Sequence, residues 1–289
     1  MTRFLLTLST MTATTLALSY AAVVASDSHL SVSDEVIAEQ REALAAATKD
    51  AGFGPQAPRD IEAVDGENDR AFGTAPAVTQ MNLCNIHFHE NAEHRGGQFT
   101  TYAGNGDGQG YGTGFKYNGE LTDSELAPVD TTVGESEHGD LVPGDTIEIH
   151  FVYSTAQVMP GPTLGACISE AINNPQLRVE AVVAVLVNDP DAADFTEMAK
   201  IEVVDGLHQA TGLPGNMGAP VVYPGSTTGP GYNTKGSPFQ VTWSVRPQVV
   251  KIDIRSVGVW LGDNVFEEDH AHGVRNLVRN PFLLSRIAN

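Results

Sequence analysis

A chain of 289 residues, 41% hydrophobic with 29 Gly and 16 Pro, suits one sizeable globular domain plus an N-terminal appendage. Its 16 basic and 36 acidic residues give a formal net charge of −20, which repels nucleic acid and anionic membranes and excludes both as partners.

The first 25 residues have the pattern of an export signal peptide. Arg3 is a positive start, Phe4 to Val24 is apolar and small, and Val23-Val24-Ala25 fits a small-x-small cleavage site. Thr and Ser interrupt the stretch and no basic flank follows, which argues against a membrane anchor. The mature chain is expected in the periplasm or secreted, with no membrane segment. Residues 26–80 read as a helix and a linker. Ser33 is placed to cap a helix reaching about Lys49, striped by Val36, Ile37, Leu44 and Ala47. Gly, Pro and acidic residues from Ala51 to Ala77 mark the linker. Residues 81–289 form the domain proper.

From Met81 the pattern is β. In Asn85-Ile86-His87-Phe88-His89-Glu90, residues two apart share a strand face, so His87 and His89 present two imidazoles together while Ile86 and Phe88 pack. Paired imidazoles are a start for a Zn²⁺ site. Cys84 and Cys167 are the only cysteines; an oxidising compartment permits one disulfide, which would brace the strand of His87, and two unpaired buried cysteines are the alternative. Ala103 to Phe115, Gly-rich without the Lys-Ser/Thr of a phosphate loop, reads as a surface loop.

A third ligand is sought among His94, His138, His150, His208, His270 and His272. On a continued strand His94 would face away from His89. His150 lies in Thr146-Ile147-Glu148-Ile149-His150-Phe151-Val152, where Glu148 shares its face and can take the proton of one ring nitrogen. An adjacent strand would bring it to the His87/His89 face. Leu177–Val187 has the β-branched, apolar content of a buried strand; 239–245 and 249–254 alternate like half-buried strands, and 269–284 is a last helix-and-loop region.

Taken together, His87-Phe88-His89, Glu93-His94 and Glu148-x-His150 resemble the zinc core of the alpha carbonic anhydrases. Tyr223-Pro224-Gly225-Ser226-Thr227-Thr228 and Val241-Thr242-Trp243 are similar to that family's two other signature segments, in the same order. Three further passages look like the delta class of marine microalgae and some bacteria: Asn174-Pro175-Gln176-Leu177-Arg178-Val179-Glu180-Ala181, Gly225 to Pro230, and Asp269-His270-Ala271-His272-Gly273-Val274. The likeness covers the chain from Cys84 onward.

The resemblance implies a mainly β fold: an alpha-carbonic-anhydrase-like central, largely antiparallel twisted sheet with a few peripheral helices. It implies reversible hydration of carbon dioxide to bicarbonate through zinc-bound hydroxide, with Zn²⁺ on His87, His89 and His150. Thr228 would pass its proton to Glu93, Glu148 would support His150, and Val152, Val182, Val241 and Trp243 would wall the CO₂ pocket. Thr227 stands where the alpha pattern has Leu. The stretch just upstream of Met81 lacks the alpha class's proton-shuttling His; His94, His208, His270, His272 or buffer would serve. No sequence feature sets an oligomeric state.

Two alternatives compete. A cupin would also use His87-x-His89-x₃-Glu93, with Glu93 ligating iron or manganese for oxygenase or isomerase chemistry. A non-catalytic zinc-binding protein would sequester metal at His270-x-His272 beside Glu267, Glu268 and Asp269.

Overall fold

The computed structural model describes residues 31–228 and 231–288, so the export signal expected over 1–25 lies outside the described residues. Helix α1 (Asp34–Thr48) lies where the apolar stripe predicts it. Ser33 has the extended backbone of an N-cap, but its hydroxyl caps no helical N–H; it bonds the Glu35 carboxylate instead. Leu44 packs on Val278, Leu283 and Leu284, so the helix is pinned by the C-terminal segment.

The strands follow as β1 (Asn82–Glu90), β2 (Thr101–Asn105), β3 (Thr113–Lys116), β4 (Val133–Ser136), β5 (Gly139–Leu141), β6 (Thr146–Ser154) and β7 (Leu177–Val187). After a short helix α2 (Phe195–Met198) come β8 (Ile201–Val204), β9 (Leu207–Ala210), β10 (Val221–Ser226), β11 (Gln240–Val245) and β12 (Val250–Asp253), then helix α3 (Ile254–Gly262). The main sheet runs β1-β6-β7-β11-β10, with β12 also on β7. The pairings β1/β6, β6/β7 and β10/β11 are antiparallel. The N-terminal half of β7 pairs with β11 and its C-terminal half with β12, both parallel. The sheet is therefore mixed, though mainly antiparallel.

Alternation along β1, β6 and β7 sends residues to two covered faces. Ile86, Phe88, Ile147, Ile149, Phe151, Val182 and Ala184 pack against Phe195, Val257 and Trp260. The opposite face carries Val152, Val179, Ala181, Val183, Val241 and Trp243, under Ala57, Ile61, Phe99 and Phe115. The histidines of β1 and β6 belong to this second face.

Two expected elements differ. The last helix is α3, not 269–284, where only a 3₁₀ turn at Pro281–Leu283 forms. The Asp253 carboxylate accepts from Arg255 N–H and starts α3, while Val257 and Trp260 bury its inner side. The Gly-rich stretch is a β2/β3 hairpin rather than an open loop. Its turn is tied by Asp107 Oδ1, which accepts from the N–H groups of Gln109, Gly110 and Tyr111. Gly106 has φ +58, and a Cβ there would lie 1.9 Å from Tyr111 O, so the turn requires glycine.

Candidate metal centre

Register places the site. His87 stands directly opposite His150, and His89 opposite Glu148, on the β1/β6 ladder. Directly opposed residues share a face, so three rings gather over one patch of sheet. Ring centroids of His87, His89 and His150 lie 4.7–5.2 Å apart, and each ring has a ligand atom within 4.8 Å of those of the other two.

Each ring has one nitrogen committed to an acceptor. His87 Nδ1 donates to Asn85 Oδ1 at 2.6 Å, and Asn85 is held that way round because its Nδ2 donates to Gly161 O. His89 Nδ1 donates to Gly273 O at 2.9 Å, and His150 Nε2 to Glu148 Oε1 at 2.8 Å. The remaining nitrogens are His87 Nε2, His89 Nε2 and His150 Nδ1. Burial holds the His87 imidazole well below its usual range, helped by the neighbouring His150 and His89 rings. Burial likewise takes His89 down to about 4, partly opposed by Glu93. With those nitrogens turned to acceptors, the second nitrogens of the three rings face one another.

That donor set fits a tetrahedral cation. His87 Nε2 and His150 Nδ1 are 3.3 Å apart, and the other nitrogen of each ring is turned to an acceptor. Metal–nitrogen bonds of about 2.0–2.1 Å in a tetrahedron put ligands about 3.3–3.4 Å apart. A second cluster, His94, Glu148 and His150, is also compact, but its atoms are joined by hydrogen bonds and are satisfied without an ion. Glu148 Oε1 accepts from His94 Nδ1 at 2.6 Å as well as from His150, and Oε2 accepts from His94 N–H. Burial alone would raise the Glu148 carboxyl, yet these donors hold it well below the carboxylate range.

His94 was expected to face away, but β1 ends at Glu90 and Asn91 takes φ 64, which turns the chain back. His94 is fully buried between Glu148 and the Tyr223 hydroxyl, 2.6 Å from its Nε2. Among the other histidines, His272 reaches the site, its ring 5.6 Å from His87 and its Nε2 2.7 Å from Glu268. His138, His208 and His270 do not line the cavity beside the triad. No metal-type group forms around His270 and His272 among the described residues.

The cavity of about 40 Å³ over the three histidines admits a few water-sized molecules, not a large ligand. Val152, Val241 and Trp243 line it, and so do Glu93 and Thr228. Val182 does not. Facing it across the ladder is Ile149, one residue out of phase with His150, so Val182 packs with Phe88 on the other face. Val179, opposite Val152, is the wall instead. Glu93 Oε1 accepts from Arg275 N–H, and no hydrogen bond joins Glu93 to Thr228 among the described residues. Cys84 and Cys167 form the disulfide.

Several contributors escaped the sequence. Ala57, Leu164 and Arg275 line the cavity from distant loops, and Gly273 offers a backbone carbonyl that no side-chain pattern announces. Asn85 was findable, since it shares the strand face of His87 two residues on.

A family model described as Delta carbonic anhydrase matches residues 78–256. A comparison with curated proteins gives no match. Among solved structures, an alpha-carbonic anhydrase from Photobacterium profundum is similar at 15% identity and a TM-score of 0.28, over 85% of this chain and 95% of that one. The Thermovibrio ammonificans alpha-carbonic anhydrase, solved with sulfanilamide, has 15% identity and a TM-score of 0.24, over 75% and 82%. A hyperthermostable carbonic anhydrase from a hydrothermal vent chimney has 16% identity and a TM-score of 0.27, over 82% and 87%. The cupin alternative falls with the family match, and with Glu93 lying outside the group of ligand atoms. The matched segment spans both histidine strands, Glu148, Thr228 and Trp243, and by it the chain belongs to the delta carbonic anhydrase family.

Proposed function

We propose that this carbonic anhydrase hydrates carbon dioxide reversibly to bicarbonate and a proton at a Zn²⁺ ion held by His87, His89 and His150. The observation that carries the proposal is the convergence of three ring nitrogens, two of them 3.3 Å apart, on rings whose other nitrogens face acceptors. A divalent ion on three neutral imidazoles keeps its full charge and brings the pKa of bound water to about 7, which supplies a nucleophile at neutral pH.

The chain's own groups do the rest. Asn85, Gly273 and Glu148 each take one ring proton, which fixes the tautomers and aims the lone pairs. Val152, Val179, Val241 and Trp243 exclude water from one side of the cavity and leave an apolar berth for a small linear molecule. Thr228 stands at the same cavity as Glu93 and would orient the attacking oxygen by accepting a hydrogen bond from it while donating its own O–H to the carboxylate. Export to the periplasm or the medium accords with the disulfide.

The test is stopped-flow CO₂ hydration on metal-analysed protein, with His150→Ala alongside. About one zinc per chain, fast hydration and loss of both in the variant are expected. Zinc bound without hydration sinks the catalytic proposal; iron or manganese in its place sinks the zinc assignment.

A further inference from the structure

The long connection between β6 and β7, residues 155–176, is anchored to the metal strand at one short run of residues. Gly161 N–H donates to Cys84 O at 3.1 Å, Asn85 Nδ2 donates to Gly161 O at 3.2 Å, and Cys84 is bonded to Cys167. The β1/β6 ladder shifts register between Leu83 and Asn85, which leaves the Cys84 carbonyl free for Gly161. Ser154 Oγ also donates to Cys167 O and Asn82 Nδ2 to Ala156 O, while Met159, Ile168 and Ile172 stay exposed, so the two ends of the connection are held and its middle is not packed. Leu164, in the turn that ends at Cys167, reaches the site cavity.

We propose that this connection is a working part of the metal centre, and that the Cys84–Cys167 disulfide makes metal retention depend on the redox state of the chain. The proposal rests on the three-histidine metal site above. The coupling runs through one carboxamide. Asn85 Oδ1 takes the His87 Nδ1 proton, while Gly161 O holds the other end of the same amide. Without Gly161 in place the amide can turn and offer its NH₂ to Nδ1. The ring proton then moves to Nε2, the atom that must be bare to bind a cation. Outer hydrogen bonds of this kind change metal affinity by about 10–100-fold.

Reduction by a phosphine such as tris(2-carboxyethyl)phosphine breaks the S–S bond. Two electrons pass from phosphorus to sulfur, water supplies the two thiol protons, and its oxygen ends on the phosphine oxide. The experiment loads the protein with zinc and follows release to a chromophoric chelator. It compares oxidised protein, reduced protein and the thiol-free Cys84→Ser/Cys167→Ser variant, with near-UV circular dichroism reporting folding. Release about 10-fold faster from the folded reduced and double-serine forms is expected. Asn85→Asp keeps an acceptor for His87 but loses the donor to Gly161, so its release should change less than about twofold on reduction. Asn85→Ala, with the disulfide intact, should release zinc about as fast as the reduced wild type.

Equal release from the oxidised, reduced and double-serine forms overturns the proposal, and so does zinc loss that occurs only with global unfolding. A full redox response in Asn85→Asp overturns the route through Asn85. Oxidised protein that binds no zinc overturns the metal site itself, and this inference with it.

Discussion

His94 and Glu148 are bound to each other twice, through the His94 backbone N–H to Oε2 at 3.0 Å and through Nδ1 to Oε1 at 2.6 Å. The carboxylate that accepts from His150 is thus itself fixed by a buried ring, which Tyr223 holds from its far side. The arrangement spends both oxygens of Glu148 and leaves it no freedom to rotate. Glu148→Gln replaces a charged acceptor with a neutral amide whose nitrogen can only donate. Metal affinity should fall about 10–100-fold, read by competition with a chelator of known affinity. Affinity close to wild type would show that His150 needs no such partner.

The two faces of β7 give a paired test. Val179 lines the cavity and Val182 packs fully buried with Phe88 on the other side. Val179→Phe should fill a space of about 40 Å³ and cut kcat/KM for CO₂ by about 10-fold or more, with zinc content unchanged. Val182→Ala should cost about 2 kcal/mol in urea unfolding and leave kcat/KM alone. The opposite pairing of effects would restore Val182 as the wall.

These two valines also mark how far the sequence could be read. The strand over Leu177–Val187 is legible because nine of its eleven residues are apolar, most of them β-branched, and the run from Ala181 to Val187 is unbroken. Its phase is not: when both faces are covered, hydrophobicity no longer alternates, and only the ladder with β6 shows which valines face the histidines. His87, His89, Glu148 and His150 were legible because period-two spacing survives wherever polar residues interrupt a strand. The role of His94 was hidden by one positive-φ residue, Asn91, which ends the strand where simple alternation would continue it. Helix α3 was hidden because it follows β12 without a break and Ile254, Val257, Val259 and Trp260 are strand-favouring residues; its capping Asp253 was the available signal.

Thr228 and Glu93 border the same cavity without a hydrogen bond between them. If the pair orients the attacking oxygen, Thr228→Ala should lower kcat by about 10²-fold while zinc stays bound. Thr228→Ser, which keeps the hydroxyl, should retain most of the rate. Turnover near wild type in the alanine variant would remove Thr228 from the mechanism.

Stripped of metal, the protein should lose stability on mild acidification. Burial takes the His89 imidazole from an ordinary value of 6.5 to about 4 in the folded chain. Below about pH 6.5 the unfolded chain takes a proton there that the folded chain refuses until about pH 4. More protons on the unfolded state mean that stability falls as pH drops through this window and levels off beneath it. A shift of about 2.5 pH units at about 1.4 kcal/mol each corresponds to about 3 kcal/mol from this one ring. Glu90 and Asp145, whose carboxyls burial raises, pull the other way. Their stabilising contribution is present at low pH and fades as pH climbs through the carboxylate range. The informative quantity is therefore the difference between wild-type and His89→Gln urea unfolding curves, both metal-free, at pH 7, 6, 5 and 4. The variant should gain on the wild type steadily as pH falls. A difference that stays constant across the four pH values would mean that His89 titrates normally, and the neutral ring required for metal binding would owe nothing to burial.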